Sequence, residues 1–117
     1  MDKTGNMRAD GTPKRYAVNE VETMVDAVTS KREQILGVAK RHGATRVRVF
    51  GSIARGDAGP HSDVDLLVDV GPAPTPWFPG GLVAELEALL GRRVQVVTER
   101  GLDGLLRDRV LQEAIPL

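Results

Sequence analysis

The chain has 117 residues, with sixteen Lys and Arg against sixteen Asp and Glu, and no Cys. This length allows one hydrophobic core and is too short for two domains. The absence of Cys excludes a disulfide framework, a thiolate metal site and a cysteine nucleophile. The balanced charge argues against general binding of polyanions such as nucleic acid. No apolar run could span a bilayer and no secretory signal is recognisable, so no membrane association and a cytoplasmic location are expected.

Two segments make up the N-terminal part of the chain. Residues 1–18 mix charge, Gly and Pro without apolar periodicity, which predicts a flexible arm ahead of a single domain at 19–117. From Asn19, a suitable N-cap, apolar residues recur at helical spacing up to the basic end before Gly43. This pattern predicts one helix of about twenty residues.

The middle of the chain alternates between extended and turn-forming patterns. Alternating apolar residues predict a strand at Ala44–Phe50, and GSIARG at 51–56 predicts a tight turn into a short helix. After a loop, DVDLLVDV at 63–70 predicts a second strand.

The last third of the chain begins with the Pro-rich loop GPAPTPWFPGG at 71–81. Its adjacent aromatics, Trp77 and Phe78, are expected to fasten the loop to the core, with a partner-contact patch as the alternative. Apolar periodicity then predicts a helix ending near Gly91, a strand at 94–98 and a final helix at 102–114. The order of elements predicts an α+β fold, a small mixed sheet with flanking helices.

Two carboxylates on the second strand carry the strongest functional signal. Asp63 and Asp65 are two residues apart, so both side chains leave the same face of the strand. Like charges on one face repel, and the basic residue nearest in sequence is Arg55. Bound Mg²⁺ or Mn²⁺, which prefer hard oxygen ligands, would compensate this charge.

The turn after the first strand supplies the second part of the pattern. Gly51 permits a close backbone approach, and the N–H groups that follow it, with the Ser52 hydroxyl, could hold phosphate oxygens. A phosphate cradle beside a metal-binding Asp pair is suited to phosphoryl or nucleotidyl transfer, in which Arg55 could also stabilise charge.

The run GSIARGDAGPHSDVDLLVDV, with Gly-Ser, ten residues and then Asp-x-Asp, resembles the signature of the minimal nucleotidyltransferase family, within the DNA polymerase β-like superfamily. The resemblance extends over about Ile35 to Leu117 and implies that superfamily's nucleotidyltransferase fold. It implies nucleotide binding at Gly51, Ser52 and Arg55, and metal binding and catalysis at Asp63 and Asp65. Such proteins are commonly paired with a HEPN-domain toxin, and better-understood members transfer AMP from ATP to a toxin tyrosine.

One position departs from the family's pattern. Members that catalyse transfer usually carry a third carboxylate on the next strand, where this chain has Gln95. An amide brings no negative charge and cannot accept the acceptor's proton, and loss of a general base typically costs roughly 10²–10⁴ in rate. Asp69 lies too far along its strand and Glu99 lies past the strand end, so neither is a convincing substitute.

Two hypotheses therefore stay open. The chain is either a Mg²⁺-dependent transferase that adenylylates its toxin with ATP, or a binding-only antitoxin in which Gln95 has removed catalysis. An unrelated α/β scaffold would require the whole Gly-Ser to Asp-x-Asp run to be a coincidence. The charge also divides unevenly, since residues 1–50 carry ten basic and six acidic residues and residues 51–117 carry six and ten.

Overall fold

The computed structural model describes residues 28–59 and 61–117. The arm predicted at 1–18 and the helix start predicted at Asn19 lie outside these residues. Helix α1 spans Arg32–Arg41, and residues 28–30 before it are also helical, with a turn at Lys31. Glu33 in the first turn and Lys40 and Arg41 in the last turn complement the helix dipole.

A four-stranded mixed sheet forms the centre of the described residues. Its strands are β1 (Ala44–Phe50), β2 (Val64–Val70), β3 (Val94–Thr98) and β4 (Ile115–Pro116). The strand order is β3-β2-β1-β4, with β1 antiparallel to both neighbours and β2 parallel to β3. The three longer strands lie where the sequence predicts them, whereas β4 was not predicted.

Helices follow the strands in the predicted order. Helix α2 is Gly51–Arg55, α3 is Gly80–Leu90 and α4 is Gly104–Glu113, with a 3-10 turn at Glu99–Gly101. Helix α3 provides the crossover that two parallel strands require. The prediction of a last helix at 102–114 was too long, because the chain leaves α4 after Glu113 in order to pair β4 with β1.

The main core lies between one face of the sheet and helices α1 and α3. Its fully buried members include Ile35 of α1, Leu82 and Leu86 of α3, and Val64 and Leu66 of β2. Leu67 is also buried but lies outside this cluster, since adjacent strand residues point to opposite faces. Val110, the buried residue of α4, also lies outside the cluster. The predicted α+β architecture is confirmed.

The Pro-rich loop corrects one expectation. Phe78 packs against the core as predicted, but Trp77 is 90% exposed and therefore does not fasten the loop. Trp77 also has a left-handed backbone conformation, with φ of 66°. In the part of the chain described, every helix is too short or too polar to cross a bilayer.

Candidate active site

Three neighbouring strands bring the predicted site residues to one end of the sheet. Asp65 of β2 pairs with Phe50, the last residue of β1, and on its other side with Gln95 of β3. Gly51 directly follows Phe50, so the Gly-Ser turn lies beside Asp65. The sequence spacing alone predicted this neighbourhood of the Gly-Ser turn and the acidic strand.

The two aspartates interact electrostatically. Asp63 lies immediately before β2, and its negative charge reaches Asp65. Burial raises the pKa of Asp65 above its ordinary value, and the charge of Asp63 raises it further, while the positive charge of Arg55 opposes both. The repulsion expected from two carboxylates on one strand face is therefore present.

Gly51 is packed directly against the acidic strand. Its φ is +73°, and a Cβ built on it would lie 2.3 Å from Oδ2 of Asp65. Only glycine combines a left-handed backbone with this approach. Ser52 follows within α2 and is half-buried, so the predicted phosphate-binding pair sits at the carboxylate itself.

Arg55 places a positive charge at the end of α2. Its Nε lies 3.3 Å from Oδ2 of Asp57, and its Nη1 lies 3.3 Å from both carboxylate oxygens of Glu113. Hydrogen bonds to Asp57 and then Glu113 raise the pKa of Arg55 above its ordinary value. Its side chain is nevertheless about half exposed and accessible to an anionic ligand.

Glu113 is a site residue that the sequence analysis missed. It is the last residue of α4, and its Oε2 accepts a hydrogen bond of 2.7 Å from the backbone N–H of Gly51. The negative charge of Glu113 also contributes to the raised pKa of Asp65. The sequence offered one indication of this position. Glu113 lies three residues after Val110, so the two share a helix face, and Val110 is buried.

Arg93 is the second missed residue. It lies just before β3 begins, and its Nε is 3.3 Å from Oδ1 of Asp63. Arg55 is the basic residue nearest in sequence, but Arg93 is also a cation beside the acidic pair. Arg93 and Asp63 directly precede the paired strands β3 and β2. The sequence does not show that they are close, because the parallel crossover through α3 separates them along the chain.

No carboxylate occupies the third position on β3. Gln95 pairs in register with Asp65 and is exposed. The two alternatives have other partners, since Asp69 lies 3.3 Å from Arg48 and Glu99 lies 3.0 Å from Arg107. The departure from the family pattern is thus present in the structure as it is in the sequence.

The donor set suits a divalent cation that also contacts a ligand. Within residues 28–59 and 61–117, no three acidic or His side chains come together as a metal cage. Mg²⁺ usually binds through one or two carboxylates together with substrate phosphates rather than in an all-protein cage. Asp63 and Asp65, whose charges repel, fit this arrangement.

The fold places the chain among known proteins. It superposes on the solved structure of a protein described as a candidate minimal nucleotidyltransferase with a TM-score of 0.71 and 50% identity, covering 80% of this chain and 95% of that one. A profile of the nucleotidyltransferase domain family matches residues 31–117. The chain belongs to this family, and within it to the minimal nucleotidyltransferases.

Two further similarities accompany this assignment. The protein adenylyltransferase MntA of Thermococcus cleftensis is 37% identical over 98 residues, which cover 84% of this chain and 93% of the relative. A toxin–antitoxin complex solved with AMP-PNP contains a chain with the same fold, at a TM-score of 0.62 and 20% identity, covering 72% of this chain and 69% of that one. At that identity the likeness concerns the fold alone.

Proposed function

We propose that this chain is an antitoxin that transfers AMP from ATP to a tyrosine of a partner HEPN-domain toxin. The observation that carries the proposal is the close approach of the Gly51 turn to Asp65. Asp63 lies two residues before Asp65, and its charge acts on that carboxylate. The 37% identity to a protein adenylyltransferase supports AMP as the transferred group. That relative shares its name, MntA, with a component of the solved toxin–antitoxin pair MntA–HepT, which supports a toxin as partner.

Each site residue has a role in this proposal. The backbone N–H of Gly51 and the Ser52 hydroxyl hold the triphosphate, and Arg55 stabilises its negative charge. Asp63 and Asp65 hold the divalent metal. When bound, the metal neutralises phosphate charge and orients the triphosphate.

The reaction is a displacement at the α-phosphorus of ATP. The tyrosine oxygen forms a bond to that phosphorus, the bond to the oxygen bridging the β-phosphate breaks, and pyrophosphate leaves. The tyrosine proton passes to solvent or to a base. Since Gln95 cannot accept this proton, the chain must transfer AMP without the third carboxylate's help.

Binding without transfer is the second candidate function. It is favoured by the exposed amide of Gln95 in register with Asp65, where active relatives are expected to carry a carboxylate. In that case the site would still bind the nucleotide without transferring AMP, and the toxin would be inhibited by contact with this chain alone.

Labelled ATP distinguishes the two functions. The chain is incubated with Mg²⁺, the toxin encoded beside it, and ATP labelled at either the α- or the γ-phosphate. AMP transfer predicts label on the toxin from α-labelled ATP only, whereas label from the γ-position would indicate phosphorylation. An unlabelled toxin that is still inhibited would establish the binding-only function and contradict transfer.

Matched variants test the assigned residues. Asp63→Asn with Asp65→Asn should abolish labelling, because the metal loses both charged ligands. Asp108→Asn makes the same chemical change on the exposed surface of α4 and should leave labelling unchanged. Undiminished labelling by the double variant would remove the aspartates from the site.

A further inference from the structure

We infer that Glu113 is a built-in competitor of the nucleotide: its carboxylate occupies the phosphate-binding groups and must leave them when the triphosphate binds. This inference rests on the proposed function, because it takes Gly51 and Arg55 as the triphosphate's ligands. It assigns a gating role to a residue outside the Gly-Ser and Asp-x-Asp motifs.

The contacts of Glu113 are those that a phosphate oxygen would make. Its Oε2 accepts the Gly51 N–H at 2.7 Å, and both of its oxygens lie 3.3 Å from Nη1 of Arg55. A backbone N–H carries one hydrogen and satisfies one strong acceptor. A phosphate on Gly51 must therefore displace Glu113 from that hydrogen bond.

Electrostatic repulsion acts in the same direction. The negative charge of Glu113 already reaches Asp65, whose burial disfavours ionisation. A triphosphate held at Gly51 would add further negative charge beside both carboxylates. Arg55 can neutralise only part of it, so the triphosphate and Glu113 favour alternate occupation over joint occupation.

The fold holds Glu113 in this position. After α4 ends at Glu113, Ile115 pairs with Val49 of β1, and the N–H of Leu117 donates to the carbonyl of Val47 at 3.0 Å. One turn earlier, Val110 is buried. The Glu113 side chain is itself only 18% exposed. The backbone of Glu113 is held by the packing of Val110 before it and by the strand pairing of β4 after it.

Topology excludes Glu113 as a replacement for the missing third carboxylate. In the order β3-β2-β1-β4, Gln95 lies on the β3 side of Asp65. Glu113 contacts Gly51 at the end of β1, on the opposite side of Asp65. Its charge therefore acts on the phosphate side of the site and not at the third-carboxylate position.

Nucleotide binding without turnover tests the inference. The affinity for AMP-PNP with Mg²⁺ is measured by calorimetry for the wild type, Glu113→Gln and Glu99→Gln. Removing the competing charge should tighten binding by roughly 3- to 10-fold, which corresponds to the net contribution of one typical hydrogen bond. Glu99→Gln removes a matched arginine-paired carboxylate outside the site and should bind as the wild type does.

A second measurement uses the unaltered protein and so does not depend on the variant's folding. In an NMR titration with AMP-PNP and Mg²⁺, the Gly51 amide and the Glu113 carboxyl carbon should shift together. A Gly51 amide that shifts while the Glu113 carboxyl signal stays fixed would contradict displacement.

The outcomes separate this inference from the proposed function. Wild-type binding that Glu113→Gln fails to tighten would overturn the inference and leave the nucleotide site intact. Binding by Glu113→Gln that is tighter than wild type, or present only in the variant, would support it. Absence of AMP-PNP binding in both proteins would overturn the inference and the proposed function together.

Discussion

Gly51 combines three tasks that no other residue type can perform together. It adopts a left-handed φ of +73°, it leaves no Cβ to collide with Asp65, and its N–H faces the Glu113 carboxylate. The turn geometry and the acidic strand are thus coupled through one residue. A change at Gly51 should affect both folding stability and ligand binding.

Gly51→Ala is expected to destabilise the protein by about 2 kcal/mol or more, since a left-handed L-residue costs roughly 1–2 kcal/mol and the added Cβ also displaces Asp65. The measurement is chemical unfolding with a parallel AMP-PNP titration, in which the variant should bind poorly.

Gly37→Ala is the matched control. Gly37 lies within α1, and a Cβ added there meets nothing within 4 Å. This substitution should stabilise the protein by about 0.5–1 kcal/mol through helix propensity. Equal stability of the Gly51→Ala variant and the wild type would contradict the described turn.

Gln95→Asp tests whether the missing base limits transfer. The new carboxylate would stand in register with Asp65, and we expect label transfer to rise by about 10²-fold, within the usual range for general-base catalysis. Single-turnover rates with saturating ATP measure this effect. Gln34→Asp, an equal charge change on the exposed surface of α1, should leave the rate unchanged, and no gain from Gln95→Asp would mean that another step limits transfer.

Spacing along the chain brought out only part of the candidate site. Asp63, Asp65 and Gly51 could be proposed from the sequence because alternation on a strand and a glycine turn after a strand are local patterns. Glu113 lies 62 positions from Gly51, and its role depends on how α4 packs. Arg93 depends on the pairing of β3 with β2, which no local periodicity encodes.

At the scale of elements, an ion-pair cluster links the end of α1 to α3. The Nε2 of His42 lies 2.8 Å from Oε1 of Glu85, Arg41 bonds the other carboxylate oxygen, and Nδ1 of His42 lies 3.0 Å from the Thr75 hydroxyl. The hydrogen bond from His42, followed by that from Arg41, lowers the pKa of Glu85 below its ordinary value.

This lowered pKa predicts a pH-dependent contribution to stability. A carboxylate whose pKa is lower in the folded state stabilises the fold above its unfolded pKa, and this contribution is lost as the pH falls through the folded pKa. Glu85→Gln should therefore lower the urea midpoint at about pH 6 and have little effect at about pH 3. Asp108→Asn is the control, and an equal effect of Glu85→Gln at both pH values would contradict the lowered pKa.

The helices and strands could be predicted where the periodic pattern of apolar residues extends over enough positions. Strands β1, β2 and β3 and helix α3 carry enough apolar residues to define a period. Strand β4 has two residues, too few to show alternation, and forms because β1 offers an open edge. The exposed Trp77 was mispredicted because the aromatic pair in the sequence does not say which ring turns inward.

At the scale of the whole molecule, the zero net charge conceals complementary halves. Basic residues of the first half meet acidic residues of the second, as in the pairs of Arg41 with Glu85 and of Arg48 with Asp69. Around the site, Arg93 and Arg55 pair with Asp63 and Glu113. Asp65 takes part in none of these pairs, so it is the carboxylate whose charge a bound divalent cation would stabilise most.

AMP transfer to the toxin is tested most directly by the intact mass of the partner toxin after co-expression with this chain. AMP transfer predicts a mass increase of one or more whole AMP groups, located on a tyrosine by peptide mapping. The increase should be absent when the Asp63→Asn, Asp65→Asn double variant replaces the wild type. An unmodified toxin that the wild-type chain still inhibits would contradict transfer and leave binding alone as the function.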